Sequence, residues 1–234
     1  MTTTMHDIAT SIGPGIAGAT PPVRRTQHRE EVEGAILREA VRLFAERSFE
    51  GTSIADVAER AGLSKQNLMY YFPTKQGLYK RVLDDVLDDW LARMAPLADP
   101  HQDPADVLRA YVRAKLQFSR EQPLASRVYA TEVIGGAKLY GEQIRARVVP
   151  LLRQDIAVFE RWMAEGRIAP VNATHLLFAV WAMTQSYADF SAQMTLVLDR
   201  PELTQQDFED AAQLITGMVL AALGLKEQAQ PCRP

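Results

Sequence analysis

Between Gly62 and Val82 the chain reads GLSKQNLMYYFPTKQGLYKRV, with Lys65, Lys75, Lys80 and Arg81 set around Tyr70, Tyr71 and Tyr79. No acid falls between Glu59 and Asp84, although the whole chain carries a formal net charge of −3. Such a local cationic surplus is chemistry for a polyanion. Ammonium and guanidinium groups neutralise phosphates, phenol hydroxyls bond phosphate oxygens, and the amides of Gln66 and Asn67 can pair with base edges. A second constellation lies further along. Trp181, Gln185 and Asp189 recur at i, i+4 and i+8 and so share one face of a helix. A flat apolar wall beside an amide suits a small planar ligand with adjacent N–H and C=O groups. The same three side chains serve equally as core filler, interhelical bond and cap.

The elements that must hold these residues read as helices nearly everywhere from Arg29 to Leu225. In EGAILREAVRLFAERSFEG, Ile36, Leu37, Ala40, Val41, Phe44 and Ala45 recur at spacings of three and four, with Gly51 as the expected stop. TSIADVAERAG is a short second helix, capped by Thr52 or Ser53 and closed by Gly62. SKQNLMYYF starts at the cap candidate Ser64 and is stopped by Pro73. A long amphipathic helix follows, TKQGLYKRVLDDVLDDWLARMAPL.

Two short helices joined by the tight AGLS turn form a helix-turn-helix, whose last helix can lie in the major groove while the one before it crosses the backbone. A nine-residue rod is about 13 Å long, close to the roughly 12 Å width of that groove. Duplex DNA is therefore the expected polyanion. Ser64, Lys65, Gln66 and Asn67 stand on the first turn of the reading helix, with Tyr70, Tyr71 and Lys75 on its remainder and exit. Thr52, at the start of the preceding helix, is expected to touch phosphate. Leu68 and Phe72 are expected in the core.

Residues 1–28 are rich in Thr, Gly, Ala and Pro without a helical or strand period, and read as a flexible arm ending in the basic cluster Arg24, Arg25 and Arg29. Residues 29–75 make the helix-turn-helix domain, 76–225 a ligand-binding and dimerisation domain, and 226–234 a flexible tail. Helices are expected at about 104–121, 123–135, 139–165, 172–196 and 204–224, with Pro150 kinking or splitting the third. The last two carry apolar stripes, including Phe208, Ala211, Ile215, Met218 and Val219. Paired with their copies these would build an intersubunit four-helix bundle, a homodimer presenting two reading heads to an inverted-repeat operator.

At 234 residues, 47% apolar and 24% charged, the chain can bury a core without covalent staples. Its one cysteine, Cys232, excludes a disulfide framework within the chain and any Cys-based metal site. The start lacks a secretory pattern and no window has the run of apolar residues that spans a bilayer, so a cytoplasmic protein without membrane partners is expected. His6, His28, His101 and His175 have no metal-ligand spacing, and neither a nucleophile elbow nor a phosphate loop is present. The pairs Asp84-Asp85 and Asp88-Asp89 read as a solvated helix face. No enzyme is expected.

The run LFAERSFEGTSIADVAERAGLSKQNLMYYFPTKQGLYKRVL resembles the DNA-binding domain of TetR-type one-component transcriptional regulators. The resemblance implies an all-α homodimer with a small reading domain and a larger domain that binds an effector. The position after Leu68, commonly tyrosine in that family, is Met69 here, so no phosphate contact carries over to it. VLDDWL, RAKLQFSREQPLASR, GRIAP and WAMTQSYADFSAQ are similar to the pyrimidine-utilisation regulators within the family. This second resemblance implies uracil or thymine as the effector, with release of DNA on binding and no other cofactor. It adds Trp90 to the pocket candidates Trp181, Gln185 and Asp189, with Lys115 and Ser119 as weaker ones. Two alternatives stay open: a repressor of the same type with a different planar or hydrophobic effector, and an all-helical interaction module that never touches DNA.

Overall fold

Two serines set the geometry of the small domain. Ser53 caps one short helix in a reciprocal capping box with Asp56, and the Ser64 hydroxyl accepts the Asn67 N–H to start the next. Gly62, at φ 69°, supplies the left-handed turn between them. The computed structural model describes residues 22–94 and 101–225. Among these it contains ten helices and no strand: α1 (Pro22–Gly51), α2 (Ile54–Arg60), α3 (Lys65–Tyr71), α4 (Lys75–Met94), α5 (Pro104–Glu121), α6 (Pro123–Ile134), α7 (Gly141–Ala164), α8 (Ala173–Asp189), α9 (Ser191–Leu198) and α10 (Gln205–Ala222).

Helices α1 to α3 close over Leu43, Phe44, Val57, Ala58, Leu68 and Phe72, all buried. Leu68 and Phe72 are core, as their spacing predicts. Helix α4 leaves this unit and packs on α1, α5 and α6, while α5 packs on α8 and α10, and α6 on α1 and α8. A stack of Phe44, Phe49 and Tyr79, with ring centroids 4.9–6.4 Å apart, joins the small domain to α4.

Four expectations change. Helix α1 begins at Pro22, so the predicted arm does not extend to residue 28; proline is tolerated at a first helical turn, where its missing N–H has no partner to lose. Regular α1 geometry is interrupted at Ser48, before Gly51, where φ is 56° and ψ −179°. Helix α7 continues through Pro150 without splitting; Pro150 and Ala146, four residues before it, are both exposed, so the unpaired carbonyl lies beside solvent. The expected 172–196 helix breaks at Phe190 into α8 and α9, where Ser186 and Ser191 hydroxyls donate to the carbonyls of Met183 and Ala188 and compete with the helical ladder. The expectations for residues 1–21, and for the tail with Cys232, lie outside the described residues.

Candidate functional site

The amino-terminal turn of α3 presents Lys65, Gln66 and Asn67, all exposed, on a helix whose buried side is held by Leu68. Ser64 is exposed too, but its hydroxyl already accepts the Asn67 N–H at 3.2 Å, so it fixes the first turn as well as fronting it. Tyr70 is 73% exposed and meets the half-buried Tyr71 edge-on, ring centroids 5.4 Å apart. The Arg29 guanidinium on α1 sits 6.0 Å from the Tyr70 ring and 5.9 Å from that of Tyr71. Sequence reasoning put Arg29 in the arm; only the approach of α1 to α3 joins it to this face.

Thr52 does not belong to the face. It is 2% exposed, and its hydroxyl donates to the Leu43 and Ser48 carbonyls, at 3.1 and 2.9 Å. The expected phosphate contact from its side chain is therefore withdrawn, and the cap of α2 is Ser53. Lys75 lies at the start of α4 rather than on the exit of α3. Its ammonium donates to the Phe49 carbonyl at 2.9 Å and lies 4.2 Å from the Phe49 ring, which ties α4 to the end of α1 and leaves two donors. Arg81 pairs with Glu33 and Asp85 along the helix surface, away from the reading turn.

The second constellation gathers between α4, α5, α6 and α8. The Trp90 and Trp181 rings are 6.3 Å apart at 48°, and Tyr129 meets Trp90 edge-on at 5.4 Å. The Lys115 ammonium, 2% exposed, lies 4.1 Å from the Trp90 ring and 5.9 Å from that of Trp181. Burial pushes the Lys115 pKa down to about 7, against the opposing attraction of Asp189. Burial likewise pushes the Asp189 carboxyl up, while the Ser126 hydroxyl, donating to it at 2.7 Å, and the Arg127 and Lys115 charges hold it down. The Trp181 indole N–H donates to the Tyr111 hydroxyl at 2.6 Å.

Gln185 is half-buried on the same face of α8, its amide making no hydrogen bond among the described residues. Ser119 is buried nearby, but its hydroxyl donates to the Thr184 carbonyl at 2.9 Å and so joins α5 to α8. Trp90, Lys115, Trp181, Gln185 and Asp189 thus gather in one cluster, and Ser119 is a strut. Sequence reasoning missed Tyr111, Ser126 and Tyr129. They sit on two other helices, and their only sequence signal is a place on the buried faces of α5 and α6.

Helix α6 also reaches the base of α4. Glu132, buried, accepts from the Tyr79 hydroxyl at 3.2 Å and from the Leu139 and Tyr140 backbone N–H groups at 2.7 and 3.0 Å. The Tyr140 hydroxyl donates to Asp84 at 2.5 Å, and Arg147 bridges Asp84 and Asp88. The carboxylates expected to be a free solvated face are partly the α4 side of this latch.

Comparison with known proteins agrees with the geometry. The family model described as bacterial regulatory proteins, tetR family, matches residues 36–82, and that described as YcdC-like protein, C-terminal region, matches 83–226. The HTH-type transcriptional regulator RutR of Escherichia coli (strain K12) is 41% identical over 165 residues, covering 70% of this chain and 76% of the relative. The HTH-type transcriptional repressor KstR2 of Rhodococcus jostii (strain RHA1) is 26% identical over 48% of this chain and 55% of its own. Among solved structures, AibR in complex with isovaleryl coenzyme A and operator DNA superposes with a TM-score of 0.62 at 23% identity, over 80% of this chain and 97% of that one. KstR2 of Mycobacterium tuberculosis gives 0.65 at 20% identity, over 83% and 95%. These relatives are regulators and not enzymes. With an exposed reading turn, a helix-turn-helix match and a carboxy-terminal match that together span residues 36–226, the chain belongs to the TetR family of transcriptional regulators.

Proposed function

We propose that this regulator is a homodimeric repressor that grips an inverted-repeat operator and releases it when a pyrimidine base, uracil or thymine, binds beside Trp90 and Trp181. The observation that carries the effector reading is the Lys115 ammonium over the Trp90 ring, with Trp181 and the unbonded Gln185 amide on the next helix. A planar imide can lie against the indoles. The Gln185 amide offers a donor and an acceptor to adjacent C=O and N–H groups, and Lys115 donates to a second carbonyl. Cytosine, with an amino group in place of one carbonyl and an unprotonated ring nitrogen beside it, mismatches that set. The resemblance to RutR supports the same reading.

Release follows from where α4 begins and ends. The helix is about 30 Å long at 1.5 Å per residue, starts at Lys75 beside the reading domain and carries Trp90 near its other end. A base seated on Trp90 displaces that end, tilts α4 and changes the separation of the two α3 helices. Binding and release are then reciprocal, with a coupling of about 1–3 kcal/mol. The effector works only by preferring the splayed arrangement. Action on DNA fits a cytoplasmic protein, and no described helix is long and apolar enough to cross a membrane.

Operator binding titrated with each base tests this. Uracil or thymine should weaken it and cytosine should not; an operator complex indifferent to all three would remove the pyrimidine reading while leaving the regulator intact. Replacing Lys65, Gln66 and Tyr70 together should abolish operator binding with the melting temperature unchanged. A variant that still bound the operator would exclude α3 as the reading helix.

A further inference from the structure

A groove of about 1020 Å³ runs between α5 and α10. It opens on the other flank of α5 from Lys115 and Ser119. Arg109, Arg113 and Arg120 recur at spacings of four and seven and line one wall together. Arg109 donates from Nη1 to Asp106 at 2.7 Å, while its Nη2 is buried and makes no hydrogen bond among the described residues. Arg120 comes only within 3.9 Å of its neighbour Glu121, and no ion pair reaches Arg113 among the described residues.

The floor holds Leu116, Phe208 and Thr216. Thr216 is 5% exposed, and its hydroxyl also lacks a hydrogen bond among the described residues. Among the described residues Arg109 Nη2 is the one buried polar side-chain atom left without a partner, an arrangement rarely left unanswered, and the unbonded Thr216 hydroxyl, not sealed from solvent, belongs to the same groove on α10. The opposite wall is different in kind. Glu209 and Asp210 stand there, accepting from the Gln205 and Gln206 amides at 2.7 and 2.8 Å.

We propose that this groove is a second small-molecule site, separate from the Trp90 and Trp181 cluster, which takes a small organic carboxylate that also carries an amide N–H. The guanidinium wall matches a planar carboxylate two bonds at a time. The acidic wall accepts the N–H, and it opposes a phosphate, whose greater charge would face Glu209 and Asp210. The Thr216 hydroxyl bonds the middle of the ligand, and its apolar stem lies on Leu116 and Phe208. Of the residues that line this groove, Asp210 alone also lines the apolar groove between α8, α9 and α10. Thr216 and Met218 are two residues apart, about 200° around an α-helix, so the groove lies on the opposite flank of α10 from the exposed Leu214 and Met218.

Isothermal titration of the full-length protein with N-acetylglycine tests the site without operator or pyrimidine. Propionate and N-methylacetamide, which carry the carboxylate or the N–H group alone, are the controls. Saturable binding of N-acetylglycine is expected, at least tenfold tighter than either control. Arg113→Ala with Arg120→Ala, both at exposed positions, should weaken it at least tenfold, Thr216→Val severalfold, and Trp181→Ala not at all. No saturable heat, equal affinity for either control, or binding indifferent to the paired arginine substitution would overturn the proposal.

Discussion

At the scale of single residues, three side chains sit where their chemistry costs stability. Ser48 holds φ 56° and ψ −179°, a region that costs a residue bearing a Cβ about 1–3 kcal/mol and glycine little. It persists because its carbonyl accepts from Thr52 and the aromatic stack of Phe44, Phe49 and Tyr79 fixes the segment around it. Ser48→Gly should therefore raise the unfolding free energy by about 1 kcal/mol, read as a higher urea midpoint with an unchanged slope. Lys115 and the buried Asp155 act through protons. Burial raises the Asp155 carboxyl to about 7 and lowers the Lys115 ammonium to about 7. Between pH 4 and 7 the folded state holds the Asp155 proton more tightly than the unfolded chain, so stability falls as pH rises. Above pH 7 the folded state has released the Lys115 proton that the unfolded chain keeps up to about 10.4, so stability rises with pH. Melting temperature should pass through a minimum near neutrality. Asp155→Asn should flatten the acid limb and Lys115→Met the alkaline one; a wild-type profile without a minimum would contradict both shifts.

At the scale of elements, α6 is the piece whose role was least legible beforehand. Its Ser126 bonds Asp189 on α8, its Tyr129 meets Trp90 on α4, and its Glu132 bonds Tyr79 and the chain entering α7. Each contact joins the effector cluster or the base of α4 to one short rod. Glu132→Gln replaces an acceptor oxygen with a donor nitrogen and must leave part of this set unpaired. It should lower stability by about 1–3 kcal/mol and speed amide exchange at Leu139 and Tyr140. Tyr79→Phe removes one bond and should lower stability by about 1 kcal/mol. Unchanged exchange at Tyr140 in Glu132→Gln would show that the latch does not hold this corner.

At the scale of the whole molecule, α8, α9 and α10 carry a set of exposed apolar residues. Phe178 and Phe190 of α8 and its cap, Leu196 and Val197 of α9, and Leu214 and Met218 of α10 all face solvent in the single chain. A groove of about 590 Å³ between α8, α9 and α10 adds Tyr187 and Leu198 to that surface. A patch of this kind marks an interaction surface, and under the proposed function its occupant is a second copy. Leu214→Glu with Met218→Glu should shift sedimentation to the monomer, and operator affinity should fall because one reading head then grips alone. A double variant that still sediments as a dimer would place the interface elsewhere. Two reading heads also multiply the phosphates neutralised, so operator affinity should fall steeply with added salt.

Periodicity, caps and glycines carry local information, and the helices follow from them: Ser53, Ser64 and Gly62 set α2 and α3, and the 3.6-residue period sorted Leu68 and Phe72 inward from Lys65, Gln66 and Tyr70 outward. The same period put Trp181, Gln185 and Asp189 on one face. It could not say what stands opposite them. Thr52 looked like a phosphate donor because its place beside a cap is local, whereas the carbonyls of Leu43 and Ser48 that hold its hydroxyl come from the end of α1. Lys115 over Trp90, Arg29 against Tyr70 and the unpaired hydroxyl of Thr216 in an arginine-walled groove are likewise facts of assembly. The chain by itself determined which faces are apolar and where helices start and stop, since those depend on neighbours within a turn or two. Only tertiary packing decided which polar groups are left available, because a hydrogen bond or a lost water shell depends on residues that meet from distant parts of the chain.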